Sequence, residues 1–258
     1  MKRIISVAIV TLLSSVAMAS TTWLDVNFET GYVDGGLVGQ SGGVMSGSWL
    51  SGGGSDYLTT VESSVAQGSK AVETYRSGFG GAYAMLANGG PDYSTPATTL
   101  FALDIMAPLS TSRAHFDYWN SGSGRLALAF GIDPGGVVYY NNSDTWVTTN
   151  ATVDIGAWYH VEFQVTNPNP GSYSNQTLDL FMNKIGGGAR QQIADNVSYA
   201  PWNGVNNSFN MTPQGSGDTD KMYVDNIQLL TDVTFVPEPA TIVILSIGAL
   251  VGFGRRNR

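Results

Sequence analysis

Between residues 99 and 183 the chain repeats one pattern: short runs of alternating apolar and polar residues, each closed by Gly, Asn, Ser or Pro. Alternation with period two sends successive side chains to opposite faces, so these runs predict β-strands with one face in a core. The clearest is 157–165, where Ala157, Tyr159, Val161, Phe163 and Val165 face one way. Residues 113–119 put Ala114, Phe116 and Tyr118 on one face, and 177–183 turn Leu178, Leu180 and Met182 inward. Residues 125–132 are apolar enough to be covered on both sides, and 99–106 form a strand whose alternation slips near Asp104. Residues 35–54 hold nine glycines, exclude a helix and are expected as loop. Between the two ends there is no helical stretch of twelve residues and no fixed-period repeat, which disfavours solenoids and propellers. The prediction is one all-β domain over 20–232, an antiparallel β-sandwich.

The two ends have a different pattern. Lys2 and Arg3 precede an apolar run over 4–16 and then Ala17-Met18-Ala19. That is the charged start, short apolar stretch and small-x-small cleavage site of a secretory signal peptide spanning 1–19, with Ala17 and Ala19 at the cut. At the other end, a linker from 233 leads to Pro237-Glu238-Pro239, an apolar segment over 240–254 and a basic end at 255–258. Fifteen residues make a marginal transmembrane helix, and terminal arginines hold such a segment's end on the cytoplasmic side. Two prolines keep the tripeptide ahead of it extended, a form suited to a processing enzyme.

This tail resembles the PEP-CTERM sorting signal of Gram-negative bacteria in motif, order and spacing. The resemblance implies recognition by an exosortase, transient anchoring through 240–254, removal of the tail, and delivery to the cell surface or an exopolysaccharide matrix. It implies nothing about the activity of the cargo.

Composition narrows the rest. Charged residues are 12% of the chain, about half of the ~25% usual in globular proteins. Five of the twelve basic residues lie in the end segments, so 20–236 holds nineteen acidic against seven basic residues, a net charge of −12. Such a body is repelled by nucleic acid and anionic surfaces, which excludes DNA binding. The absence of cysteine excludes disulfides, thiol catalysis and cysteine-ligated metals.

The body resembles concanavalin A-like (laminin-G-like) jelly rolls in three places. Asn27-Phe28-Glu29-Thr30-Gly31, followed by Gly36-Leu37-Val38-Gly39-Gln40, is similar to their opening. Trp158-Tyr159-His160-Val161 with Leu178-Asp179-Leu180-Phe181-Met182-Asn183 is similar to a W-x-H-V strand and its partner. Tyr223-Val224-Asp225-Asn226-Ile227 resembles the closing strand. A galactose-binding-like jelly roll shares the opening and closing motifs and stays as the alternative. Either resemblance implies frequent glycan binding without requiring it.

Alternation then groups candidate ligand-binding residues. Arg113, His115, Asp117 and Trp119 share one face of their strand, and Trp158, His160 and Glu162 share one face of theirs. If the two strands are neighbours, they assemble an aromatic and charged surface fit for stacking on sugar rings and hydrogen-bonding their hydroxyls. A solvated polar face explains the same residues. Calcium is the expected ion, from Glu29, Asp218, Asp220 and Asp225, by hard-oxygen chemistry and by similarity to calcium-stabilised jelly rolls. No other cofactor is expected.

An enzyme is the third reading, after a glycan-binding module and a matrix or adhesion protein. Asp117, Glu162 and Asp179 are possible glycosidase carboxyls, and Arg113 and His115 with Tyr139 or Tyr140 resemble a polysaccharide-lyase set. The Glu-x-Asp-x-x-Glu strand of laminarinase-type glucanases is absent, so no catalytic residue is assigned. Gly122-x-Gly124 precedes a strand instead of opening a helix and is no dinucleotide site. The asparagines in N-x-S/T sequences read as turn formers. Trp146, Trp202 and Tyr199 are expected in core or loop packing, although an exposed aromatic would strengthen the glycan reading. The expected partners are the secretion machinery, the exosortase and extracellular polysaccharide.

Overall fold

The computed structural model describes residues 20–51, 58–62, 68–74, 82–91, 96–107, 114–119, 126–132, 136–142, 145–171, 175–199, 208–213 and 222–235. At 58–62, 114–119, 126–130 and several neighbouring positions the description is of the backbone alone. The expected signal peptide and sorting helix lie outside these residues. In chain order the strands are β1 (Thr21–Val26), β2 (Gly35–Gly36), β3 (Ser46–Ser51), β4 (Leu58–Glu62), β5 (Lys70–Thr74) and β6 (Ala82–Met85). A 3-10 turn, Ala87–Gly89, precedes β7 (Thr98–Met106), β8 (Ala114–Trp119), β9 (Leu126–Ile132), β10 (Val137–Asn142) and β11 (Thr145–Thr152). The last five are β12 (Trp158–Thr166), β13 (Gln176–Lys184), β14 (Gln191–Tyr199), β15 (Ser208–Pro213) and β16 (Met222–Thr231).

These strands make two antiparallel sheets. One has nine strands in the order β14-β13-β12-β7-β16-β5-β4-β2, with β1 also paired to β16. The other has seven, in the order β11-β10-β9-β8-β15-β6-β3. The last two strands enter the middle of the sheets: β15 separates β6 from β8, and β16 separates β5 from β7. That nesting of late strands between early ones is the wrap of a jelly roll, as the alternation and the resemblance led us to expect. Residues 20–233 form one compact unit.

The five runs read from alternation occur as β7, β8, β9, β12 and β13, within a residue of their expected bounds. In β12 the pattern is strict: Tyr159, Val161, Phe163 and Val165 are buried, and the residues between them are half-buried on the outer face. Aromatic rings tie the two sheets through the core. Phe101 stacks on Phe163 at 5.5 Å, Phe101 lies 5.6 Å from Phe209, and Phe209 meets Trp49 at 6.4 Å. Trp49 in turn packs on Phe28, which meets Tyr32 edge-on. Each such pair adds about 0.5–1.5 kcal/mol beyond burial.

The glycine-rich stretch is not all loop, because β2 and β3 form inside 35–54. Trp49, wholly buried, anchors β3, and its indole N–H donates to the Tyr32 hydroxyl at 3.0 Å. Gly43, at φ +70°, lets this segment lie against β1, where any Cβ would collide with the Asp25 carbonyl. Tertiary packing of one tryptophan outweighs the local glycine content.

β7 explains the slipped alternation. It is a central strand, and every residue from Phe101 to Met106 is buried. Ala102 and Met106 are buried but belong to no part of the main core, as expected for side chains on the outer face of the sheet under half-buried neighbours. Asp104 belongs to that same outer row.

Candidate functional site

Cross-strand register assembles the site. On the outer face of the nine-stranded sheet, His160 of β12 stands opposite Asp104 of β7 and Asn183 of β13. Glu162 stands opposite Ala102 and Phe181, and Trp158 opposite Met106, which in turn faces Tyr223 of β16. β16 carries an irregularity between Asp225 and Gln228, with Asn226 at φ +47°, a conformation asparagine tolerates better than most residues. That bulge turns the Asn226 amide toward Asp104.

The charged groups form one chain. Asn226 Nδ2 donates to Asp104 Oδ2 at 2.8 Å, and His160 Nδ1 donates to Asp104 Oδ1 at 2.6 Å. His160 Nε2 lies 3.5 Å from Glu162 Oε1. Glu162 Oε2 accepts from Arg190 Nη2 and from Gln164 Nε2, both at 2.8 Å. The Arg190 guanidinium also sits 3.4 Å above the centre of the Phe181 ring, a cation–π contact. Negative and positive groups thus alternate, Asp104, His160, Glu162, Arg190, and each is more covered than open: their side chains are 7%, 31%, 20% and 24% exposed.

The protonation states follow from these contacts. Hydrogen bonding to Asp104, then to Glu162, raises the His160 pKa to about 9 against the opposing pull of burial, so the ring is an imidazolium at neutral pH. Glu162 is drawn down to about 2, above all by His160 and further by Arg190 and Gln164. Burial, with help from Glu73, pushes the Tyr223 phenol up to about 12, so it stays neutral. Acid–base catalysis near neutrality needs a group that titrates there, and glycosidases need one carboxyl held protonated. His160 is not a free base, and Glu162 is the reverse of a protonated acid.

The expected glycan-binding set does not come together as one surface. Trp158, His160 and Glu162 share the outer face just described, but β8, which carries His115, Asp117 and Trp119, is in the other sheet. There β8 pairs with β9 and β15, whereas β12 pairs with β7 and β13. Alternation reports which face a residue takes and not which sheet its strand joins. Arg113 lies outside the described residues, as do the side chains of the other three.

Four partners escaped the sequence reading. Asp104 had a signal in the slipped alternation of β7, and Asn226 sat unremarked in the closing-strand motif. Arg190 follows a glycine-rich turn and Tyr223 opens the motif; neither carried a periodic cue. Trp146, expected in packing, is 37% exposed on β11.

The calcium candidates are only partly described. β1 and β16 do pair, bringing the first described strand beside the last. Glu29 spends its carboxylate on Ser69 and Lys70: Oε1 accepts from both backbone N–H groups at 2.7 and 3.1 Å, and Oε2 from the Ser69 hydroxyl at 2.6 Å. These bonds hold its pKa below the usual value. Asp225 is buried and accepts the Asn226 N–H at 2.8 Å. Asp218 and Asp220 lie outside the described residues. Among the described residues, no three His, Asp or Glu side chains are grouped to hold a metal ion.

Residues 235–258 match the PEP-CTERM protein-sorting motif. The chain carries that sorting signal. The motif implies export, passage through a membrane and processing by an exosortase. No helix among the described residues is long and apolar enough to cross a membrane. No curated protein sequence matches the chain significantly.

Solved structures resemble the body of this PEP-CTERM protein in fold. A carbohydrate esterase from the Shiga toxin-encoding bacteriophage phi24B superposes with a TM-score of 0.54 at 15% identity, covering 83% of this chain and 100% of its own. The glycoside hydrolase family 131 catalytic domain of Coprinopsis cinerea gives 0.47 at 10% identity, over 71% of this chain and 83% of its own. The binding domain of botulinum neurotoxin serotype D gives 0.49 at 9% identity, over 83% of this chain and 48% of its own. At these identities the likeness is one of fold.

Proposed function

We propose that this PEP-CTERM protein is a noncatalytic glycan-binding module destined for the cell surface or extracellular matrix of a Gram-negative bacterium. It binds through the outer face of the nine-stranded sheet. The observation that carries the reading is the row Asp104–His160–Glu162–Arg190 beside Trp158: paired, pre-ordered charges next to an aromatic ring on a sheet surface. Such a surface offers a sugar an apolar platform together with fixed donors and acceptors, at little ordering cost. The protonation states favour binding over acid–base chemistry, since neither His160 nor Glu162 titrates near neutral pH. The esterase and hydrolase among the structural neighbours are consistent with a carbohydrate-associated fold and carry no activity across to this chain.

The test is retention of the full-length chain, in nonionic detergent, on a panel of insoluble polysaccharides, with the supernatant assayed for released sugars and acyl groups. Retention without released product is the expected result. Absence of retention across the panel overturns the glycan reading and leaves the matrix or adhesion protein; release of product overturns the noncatalytic one.

A further inference from the structure

Among the described residues, a second recess lies at one side of the sandwich, where the end strands of the two sheets approach each other. β11 ends the seven-stranded sheet and β14 ends the nine-stranded sheet. Between them runs a groove of about 460 Å³, which meets a second cleft of about 260 Å³ at Gln191. The first alone falls in the roughly 300–1,000 Å³ range of small-molecule sites.

The lining has a consistent chemistry. Tyr140, Val147 and Ile193 supply apolar surface, while Thr148, Asn150 and Gln191 present exposed hydroxyl and amide groups. The larger groove contains no ionisable carboxylate or cation. The smaller cleft has one of each, Lys184 and Asp154, and they pair with each other at 2.9 Å. A lining without net charge, in a body of net −12, gives a polyanion no compensating attraction. Hydroxyls and primary amides both donate and accept, which matches a ligand whose own groups are hydroxyls. Trp146 does not line the groove itself, but it is 37% exposed and by alternation shares a side of β11 with the lining residue Thr148, within reach of a chain that runs past the groove.

An extended peptide is the other ligand that unpaired strand edges invite, by adding a strand. Both edges are broken against it. Register between β10 and β11 runs from Val137↔Thr152 to Tyr139↔Thr148, so residues 149–151 bulge opposite Val138. The Thr149 hydroxyl donates to the Val138 carbonyl and accepts from Ala151 N–H, using up backbone groups within the bulge. β14 shifts register twice against β13, and its Asn196 has φ +47°. Bulges of this kind are how native edges resist strand addition.

We infer that the groove between β11 and β14 is a second ligand site, and that its ligand is a neutral glycan chain held by Asn150, Gln191 and Trp146. It is independent of the sheet face around Trp158 and stands whether or not that face binds.

The test is affinity electrophoresis of the full-length chain in nonionic detergent, through gels containing laminarin, dextran or xylan, and through gels containing alginate. Three variants are compared: Trp146→Ala, Asn150→Ala/Gln191→Ala and Trp158→Ala. All change exposed or half-buried outer positions, and thermal melts verify folding. The expected result is retardation by at least one neutral polymer and not by alginate, with affinity falling about tenfold or more in the first two variants. Wild-type affinity in both groove variants overturns the inference, as does retardation by alginate alone or by none of the polymers. Loss in Trp158→Ala alone leaves the sheet-face reading standing and removes the groove; loss in the groove variants alone does the opposite. Amide-exchange protection along β11 by an extended peptide, with no glycan bound, assigns the groove to strand addition and overturns the glycan.

Discussion

The outer face of the nine-stranded sheet changes character over the nine residues of β12, a distance of roughly 27 Å. At the Trp158 end, the rows opposite β12 hold Asp104, Tyr223 and Asn183, and the charges are linked and mostly covered. At the Thr166 end, the register reads Thr98, Thr166, Thr177 and Ser198 in one line across four strands. These are uncharged hydroxyls, and the Thr98 hydroxyl donates to the Val233 carbonyl at 2.6 Å. One strand therefore carries both an ordered ionic site and an ordinary polar surface. Outward orientation alone does not make a site; the partners on neighbouring strands do.

Substitutions at the two ends separate these regions. The largest effect is expected for His160→Ala, which strips the cation from the nearly buried Asp104: about 3 kcal/mol of stability, read by denaturant unfolding. Thr166→Ala, in the same strand, should stay within about 0.5 kcal/mol. A comparable loss at both positions would erase the contrast. Arg190→Ala removes both the Glu162 contact and the stack on Phe181 and should cost about 1–2 kcal/mol. Arg190→Lys should recover only part of it, because the planar fork and ring stacking are lost.

Acidity sharpens the same comparison. His160 has a folded pKa of about 9, above its ordinary 6.5, so its contribution is complete below about pH 6.5 and disappears as pH rises through 9. Glu162 is lowered from 4.5 to about 2, so its contribution is complete above about pH 4.5 and disappears as pH falls through 2. Melting temperature should therefore peak between about pH 4.5 and 6.5, and its alkaline decline should flatten in His160→Ala but not in Thr166→Ala. For ligand affinity, Trp158→Ala should weaken glycan retention about tenfold while Thr177→Ala leaves it unchanged. Thr98→Val should cost about 1 kcal/mol from the lost hydroxyl bond, read by denaturant unfolding.

Much of this architecture is readable from the chain because alternation and burial are two views of one fact. Tyr159, Val161, Phe163 and Val165 face the core as their spacing requires, and the strand bounds follow. Pairing is not readable in the same way. His115 and His160 occupy equivalent places in similar strands, and only the path of the chain puts them in different sheets. Asp104 shows the intermediate case. A charge inside an apolar run was visible as a broken period, but its meaning depended on His160 lying 56 residues further on. Arg190 had no local signature, since its role comes from Phe181 and Glu162 across two strands. The glycine content of 35–54 misled because Trp49, through contacts distant in sequence, makes a strand there.

The last strand also has a mechanical consequence. β16 is bonded to β7 along one edge and to β5 and β1 along the other. Beyond its end, Asp232 N–H donates to the Thr98 carbonyl at 2.9 Å, and Val233 is tied back to Thr98, two residues before the sorting motif begins. A pull applied to the chain at Val233 along the strand axis loads these ladders in shear, so many bonds share the force instead of parting one after another. Tension arising at the tail during sorting would therefore load the ladders on both edges of β16 together.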